Sequence, residues 1–367
     1  MADDNPAKMQ STAVSLADAV AALRADFPAE TEKLTVVDLA APDARSQILG
    51  WVQNASTTYR NKVGVGGSLD PYVSYFADTH GMASRDDETG RMLIAVQTDP
   101  AKFPRRLPDI MRNPAYVLAH EAGHMLVKNG NDVPEAPGMS AAHAVTREAE
   151  KTRRNNITEN CADTFAYLYC LKKGWIDAAD IEGLATLRSS DTLNGDYGHF
   201  TSPALDALRL MADTNDIKSL EPATLLKVAA QHAETFSPAR GAILGLQGQF
   251  NSVLGKPGED PEKVSMRIYD KMAGIYLAGR DDTLEYYIAR RSLGAALAWV
   301  TPEEAPTLDT PWSLVYQKIQ DRSATETTAS LLMNLIKANR RDMLKDREHE
   351  QWLVNSAASK NDAPRQG

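Results

Sequence analysis

His120 and His124 stand four residues apart in the stretch NPAYVLAHEAGHMLVKNG, residues 113–130. On a helix that spacing sends both imidazoles out of one face, where they can share a cation. Glu121 follows the first histidine and puts a carboxylate beside any water the cation holds. The H-E-x-x-H pattern is that of a zinc site with a built-in general base. The stretch also carries its own helix boundaries. Asn113 can accept a hydrogen bond from an orphaned backbone N–H, Pro114 suits the first helical position, and Gly130 offers a left-handed stop.

A catalytic zinc takes three protein ligands and leaves one position open. Glu159, 35 residues after His124, leads as the third ligand. With Asp163 one helical turn further on it forms E-x-x-x-D, and both carboxylates face the same way. One can bind the metal while the other accepts the ring N–H of a ligand histidine and fixes its tautomer. Asp163 itself ranks second and His143 third. Glu148 and Glu150 are nearer in sequence but lack the paired carboxylate. The metzincin extension, a glycine and then a third histidine, is missing, because Val127 and Gly130 occupy those positions.

At these two motifs, HEAGH at 120–124 and ENCAD at 159–163, the chain resembles the gluzincin peptidases. The resemblance covers residues 113–173. It implies Zn2+ held by His120, His124 and Glu159, with Glu121 as the base and Asp163 orienting His120. It also implies a zincin-like catalytic region, hydrolysis of a peptide or protein substrate, and a His or Tyr oxyanion donor from the helical domain that follows. Tyr197 and His199, in DYGHFTS at 196–202, are the downstream residues that could serve. The other reading of His199 is a loop residue capping the next helix. Two rival functions stay open: a zinc hydrolase of a non-peptide amide, and a non-enzymatic zincin-fold binding or regulatory protein. Glu121 argues against the second, since a pure binder has no use for the base.

The rest of the composition narrows the partners. A length of 367 residues allows two or three folding units. A net charge of −9 and the lack of a long basic tract argue against nucleic acid. No uncharged apolar run reaches the ~18 residues of a membrane span, so no membrane partner is expected. The first fifteen residues carry acids where a signal peptide needs bases, which predicts a cytoplasmic protein. A trimmed chain or one exported without a signal would read the same way. Cys161 and Cys170, about 13 Å apart if they share a helix, are expected as free thiols.

The elements that must hold the site read as follows. Helices are expected over 13–27 and 44–59, the latter with Ile48, Leu49, Trp51 and Val52 inward, and a strand over 34–39. The glycine-rich piece 63–68 lacks the Lys-Ser/Thr ending of a phosphate loop and reads as a flexible connection. Residues 72–77 and 91–97 read as two strands of a hairpin around a polar turn at 84–90, with His80 a turn histidine. Strand 91–97 precedes the metal helix closely. As an edge strand it could take an extended peptide as one more strand; the alternative is a buried central strand.

A polar helix is expected near 141–154. The companion helix follows over 156–174, capped by Asn156, with Lys172 and Lys173 at its negative end and Gly174 as its stop. Beyond Trp175 the chain reads as helix at 178–188, 202–212, 222–236, 239–254, 261–277, 283–300, 312–321 and 325–351. His232 reads as structural and His349 as solvated. The fold class is α+β, predominantly α. A zincin-like catalytic region with a small sheet takes residues 1–175, a helical domain closing the cleft takes 176–354, and a disordered tail takes 355–367.

Overall fold

Helix α1 (Leu16–Asp26) starts at Ser15, whose hydroxyl oxygen accepts from the Asp18 N–H. The β-branched run behind it forms β1 (Leu34–Asp38). These and the elements below come from a computed structural model that describes residues 14–104, 107–127, 144–211, 214–256, 258–297, 312–323 and 328–361.

The helix expected over 44–59 is two helices, α2 (Ala44–Gln53) and α3 (Thr57–Val63). Ser56 divides them: its hydroxyl oxygen accepts from the Tyr59 N–H while its own N–H and O–H donate to Asp86. Ile48, Trp51 and Val52 are buried as expected. The glycine-rich piece makes a tight turn, with Gly66 and Gly67 at positive φ between the paired Val65 and Ser68.

Residues 72–77 are not a strand. They lie in α4 (Asp70–Ala77), where Pro71 sits in the first turn and the buried positions, Val73 and Phe76, are three apart. That is a helical period, and proline at a helix start favours it further.

The hairpin exists with a different first strand. Strand β2 (Gly81–Asp86) pairs antiparallel with β3 (Arg91–Val96), from Gly81 opposite Val96 to Asp86 opposite Arg91. Strand β1 joins β3 in parallel, so the sheet order is β1-β3-β2. Of the two possibilities for 91–97, the buried central strand holds, and a peptide cannot add to it as one more strand. β3 is central because Met92, Leu93, Ile94, Ala95 and Val96 are apolar on both faces and all buried. The edge is β2.

Alternation divides the two faces of the sheet. Val37, Leu93 and Ala95 pack with Ile48, Trp51, Val52, Val73 and Phe76 of α2 and α4. The other face, with Ile94 and Val96, meets α6 (Pro114–Leu126), which follows the short α5 (Asp109–Arg112) and also packs on α1. At the hairpin's turn, Asp86 is buried. Burial opposes its charge, yet donors from Thr89, Ser56 and the Glu88 N–H outweigh it and hold its pKa down to about 2.

The two helical segments expected between 141 and 174 are one continuous helix, α7 (Ala144–Lys173). Asn156 does not cap it. Its buried amide donates instead to the carbonyls of Tyr197, Gly198 and Phe200, at 3.4, 3.2 and 2.7 Å. Gly174 ends the helix at φ +71°, as expected. Cys161 and Cys170 are free and buried.

The remaining helices are α8 (Ile181–Asp191), α9 (Ser202–Met211), α10 (Thr214–Ser219), α11 (Pro222–Phe236), α12 (Arg240–Phe250), α13 (Pro261–Ala278), α14 (Leu284–Leu297), α15 (Trp312–Ser323) and α16 (Thr328–Asn361). Helix α16 runs past the expected start of the tail at 355, to Asn361. The fold is α+β and predominantly α, with one small sheet. Among the described residues no helix is long and apolar enough to cross a membrane.

Two compact units make up the chain. One comprises Met1–Gly130, Thr158–Leu187 and Ala204–Glu234; the other comprises Asn131–Ile157, Arg188–Pro203 and Thr235–Gly367. They interleave along the sequence, whereas the change in composition suggested a single boundary near 175.

Candidate metal centre

Helix α6 begins as its sequence dictates, with the Asn113 side chain accepting from the Ala115 N–H and Pro114 in the first turn. It ends at Leu126, and Gly130, the expected stop, lies outside the described residues. Every residue from Ala115 to Gly123 is buried, His120 and Glu121 included. A helix buried all round is ordinarily apolar, and polar groups in it cost free energy unless they are partnered. The partners of His120 come from α7.

Helices α6 and α7 approach closely because neither has bulk at the crossing. A Cβ on Gly123 would stand 2.8 Å from Ala162 Cα. That approach faces His120 and His124 toward Glu159 and Asp163. The Nε2 atoms of the two histidines lie 3.2 Å apart, and the Glu159 carboxylate oxygens lie 3.5 Å from His120 Nε2 and 3.7 Å from His124 Nε2. One donor atom from each of His120, His124 and Glu159 falls within 4.8 Å of the other two.

Asp163 meets the other ring nitrogen, with Oδ1 2.9 Å from His120 Nδ1. The Tyr116 hydroxyl donates to the same oxygen at 3.3 Å. A carboxylate facing Nδ1 favours the proton there, so Nε2 is the nitrogen that would give up its proton to a metal. The two Nε2 atoms facing each other can share either a proton, as a hydrogen bond, or a metal cation. Burial by itself would lower the proton affinity of His120, but Asp163 and Glu159 outweigh it and raise its pKa well above the ordinary imidazole range.

The residues fit a zinc ion by donor chemistry and by spacing. Two nitrogens on one tetrahedral zinc are separated by about 3.3 Å, from zinc–nitrogen bonds of about 2.0–2.1 Å. The mixed His-His-carboxylate set is also one of those found at catalytic rather than structural zinc.

Glu121 lies one residue beyond His120 and points toward the sheet. A Cβ on Gly81, the first residue of β2, would come within 3.0 Å of Glu121 Oε1 and would overlap Val117 Cγ1. The edge strand thus begins in contact with the carboxylate of the H-E-x-x-H motif, and only glycine leaves the room. The outward groups of that strand follow from the ladder. Gln97 N–H donates to the His80 carbonyl, so residues 80, 82, 84 and 86 bond to β3 while Gly81, Ala83 and Arg85 turn their backbone groups outward. Those outward groups make no hydrogen bond among the described residues.

The other singled-out residues are placed as follows. Tyr197 and His199 fall in the other unit from the histidine pair. There the Tyr197 hydroxyl donates to Asn251 Oδ1 at 2.8 Å, and His199 Nδ1 lies 2.7 Å from Asp196 Oδ2. Glu150 pairs with Arg153 and Arg154. His80 sits in the bend before β2, stacked on Phe103. His232 is buried, with Nε2 2.8 Å from the Ala204 carbonyl oxygen. His143 and the side chain of His349 lie outside the described residues. The two motifs do not point to Tyr116 or Gly81. Helical spacing could point to Tyr116, since it precedes His120 by one helical turn; Gly81 carries no such local signal.

No protein-family model, no curated protein and no solved structure matches this chain.

Proposed function

We propose that the His120–His124–Glu159 cluster is the zinc site of a metallopeptidase of gluzincin type. The observation that carries this is the apposition of the two Nε2 atoms with a carboxylate, Glu121 being next on the same helix and touching the edge strand. His120, His124 and Glu159 would hold the ion, which when bound supplies Lewis acidity toward a carbonyl oxygen and toward water.

The chain's own residues account for the remaining steps. Asp163 keeps the proton of His120 on Nδ1, with Tyr116 steadying that carboxylate, so Nε2 is presented as a donor atom. Glu121 accepts a proton from the attacking water and returns it to the leaving amine. Strand β2 supplies a docking rail: an extended peptide paired with Gly81, Ala83 and Arg85 would have its backbone registered beside Glu121. Tyr197 and His199 carry no step in this reading.

The test pairs metal analysis with turnover. The purified protein is expected to hold about one zinc per chain, as a three-ligand catalytic site requires, and to cleave a mixed peptide library. Zinc without peptide cleavage, but with hydrolysis of small amides, would move the reading to a non-peptide hydrolase. Zinc with neither activity would favour a binding or regulatory protein. Absence of zinc at neutral pH after loading would end the proposal.

A further inference from the structure

In the unit that contains Thr235–Gly367, helices α12, α13, α14 and α16 line a cavity of about 600 Å³. None of its lining residues belongs to the histidine cluster. One wall is bare: Gly274, in the interior of α13, would put a Cβ into space with no heavy atom within 4 Å. Glycine is a poorer helix former than alanine, so an uncrowded helix-interior glycine leaves volume open at the expense of helix stability. Beside it Ile275 and Leu335 provide apolar surface.

The polar lining is not neutralised evenly. Asp282 has Arg341 at 3.1 Å, and Asp342 has Lys345 at 3.1 Å. Glu285, in the first turn of α14, has no cationic side chain within 4 Å among the described residues. Its Oε1 rests against α12 where Gly245 makes room, since a Cβ there would be 2.8 Å from that oxygen. Burial pushes the Glu285 carboxyl above its ordinary pKa. Its own backbone N–H, the Thr283 hydroxyl and the charge of Arg280 pull the other way, and Asp342 adds to the rise. A carboxylate drawn from water with no cation in direct contact gains from any cation that reaches it.

We infer that this cavity binds a small organic ammonium ion, with the charge set against Glu285 and a short aliphatic part lying along Gly274, Ile275 and Leu335. Such an ion has two sources, a free alkylamine or the amino end of an amino acid or short peptide. Lys271 and Arg280 also line the cavity and would favour the second, by taking its carboxylate.

The experiment titrates the full chain with n-butylammonium, dialanine and n-butyrate by calorimetry, a readout that needs neither metal nor turnover. Saturable binding of at least one ammonium, with butyrate weaker, is the expected result; the tighter of butylammonium and dialanine identifies the source. Glu285→Gln should weaken binding roughly tenfold or more, the loss for one charge-assisted hydrogen bond. Gly274→Leu should abolish binding by filling the space, while its melting temperature stays at or above that of the parent. The proposal is overturned if neither ammonium gives saturable heat, if butyrate binds equally well, or if both folded variants bind as the parent does.

Discussion

Gly123 of α6 and Ala162 of α7 meet with no side chain between them: a Cβ on Gly123 would lie 2.8 Å from Ala162 Cα and 3.2 Å from its carbonyl oxygen. His124 is the next residue on one helix and Asp163 the next on the other. Gly123→Val must push the helices apart. Overpacking of this kind costs about 1–3 kcal/mol, and because it separates donors from two helices it should also lower zinc affinity by roughly tenfold or more. Denaturant melts and metal content measure both. A folded Gly123→Val protein with parental zinc affinity would show that the crossing does not set the site.

The ligand assignment separates neighbours by chemistry. His120→Ala, His124→Ala and Glu159→Ala should each strip most of the zinc, while Glu150→Ala, which only loses Arg153 and Arg154, should keep it. Asp163→Asn should weaken metal binding by about 10–100-fold without abolishing it, as expected for a group that holds a ligand histidine. If Glu159→Ala retained its zinc, the third ligand would have to lie elsewhere.

Glu121 is assigned to proton transfer alone. Glu121→Gln keeps the shape of the side chain but cannot accept a proton. Hydrolysis is expected to fall at least about a hundredfold with zinc content intact. An undiminished rate would remove Glu121 from the mechanism.

The edge strand offers a test by backbone position. Ala83→Pro deletes an outward N–H and leaves the bonds to β3, so the Michaelis constant for a peptide should rise with little loss of stability. Met82→Pro, one residue away, deletes a ladder bond to β3 and should destabilise the protein. Equal Michaelis constants for Ala83→Pro and the parent would rule out strand addition at that position.

How much of this could be read from residues alone depended on how local the cause was. The Asn113 cap, Pro114 and the histidine spacing of α6 are local, and they place the start of the helix and the histidine pair together. The E-x-x-x-D pattern is local too, so Glu159 and Asp163 were legible. Residues 72–77 read as a strand because Tyr-Val-Ser-Tyr-Phe has strand-forming side chains; Pro71 and the sheet beneath Val73 and Phe76 make it a helix. The edge strand GMASRD has almost no strand propensity. It is held by pairing with β3 and by Asp86, causes that lie outside its own residues. Asn156 looked like a cap because its partners, the carbonyls at 197, 198 and 200, are remote in sequence.

His232 makes acid stability measurable. Burial moves its pKa from 6.5 to about 4, against the pull of the Ala204 carbonyl. Above pH 6.5 both folded and unfolded chains hold it neutral. As pH falls from 6.5 toward 4, the unfolded chain takes a proton that the folded one refuses, so stability drops, by up to roughly 3 kcal/mol before levelling off. Urea titrations across that window should show the slope, and His232→Gln should flatten it. An identical slope in the variant would place the acid sensitivity elsewhere.

Asp86 gives strand β2 a property that does not depend on any partner. Four donors clamp its carboxylate at the turn, and at the opposite end the strand is seated against Val117 and Glu121 through Gly81. The free protein therefore already holds β2 in the extended form that a partner strand requires. Ordering a loose segment of six residues would consume conformational entropy at about 1–2 kcal/mol per residue. Held at both ends, this strand has lost that freedom during folding, so a peptide added to it as the proposed function has it would need only to order itself.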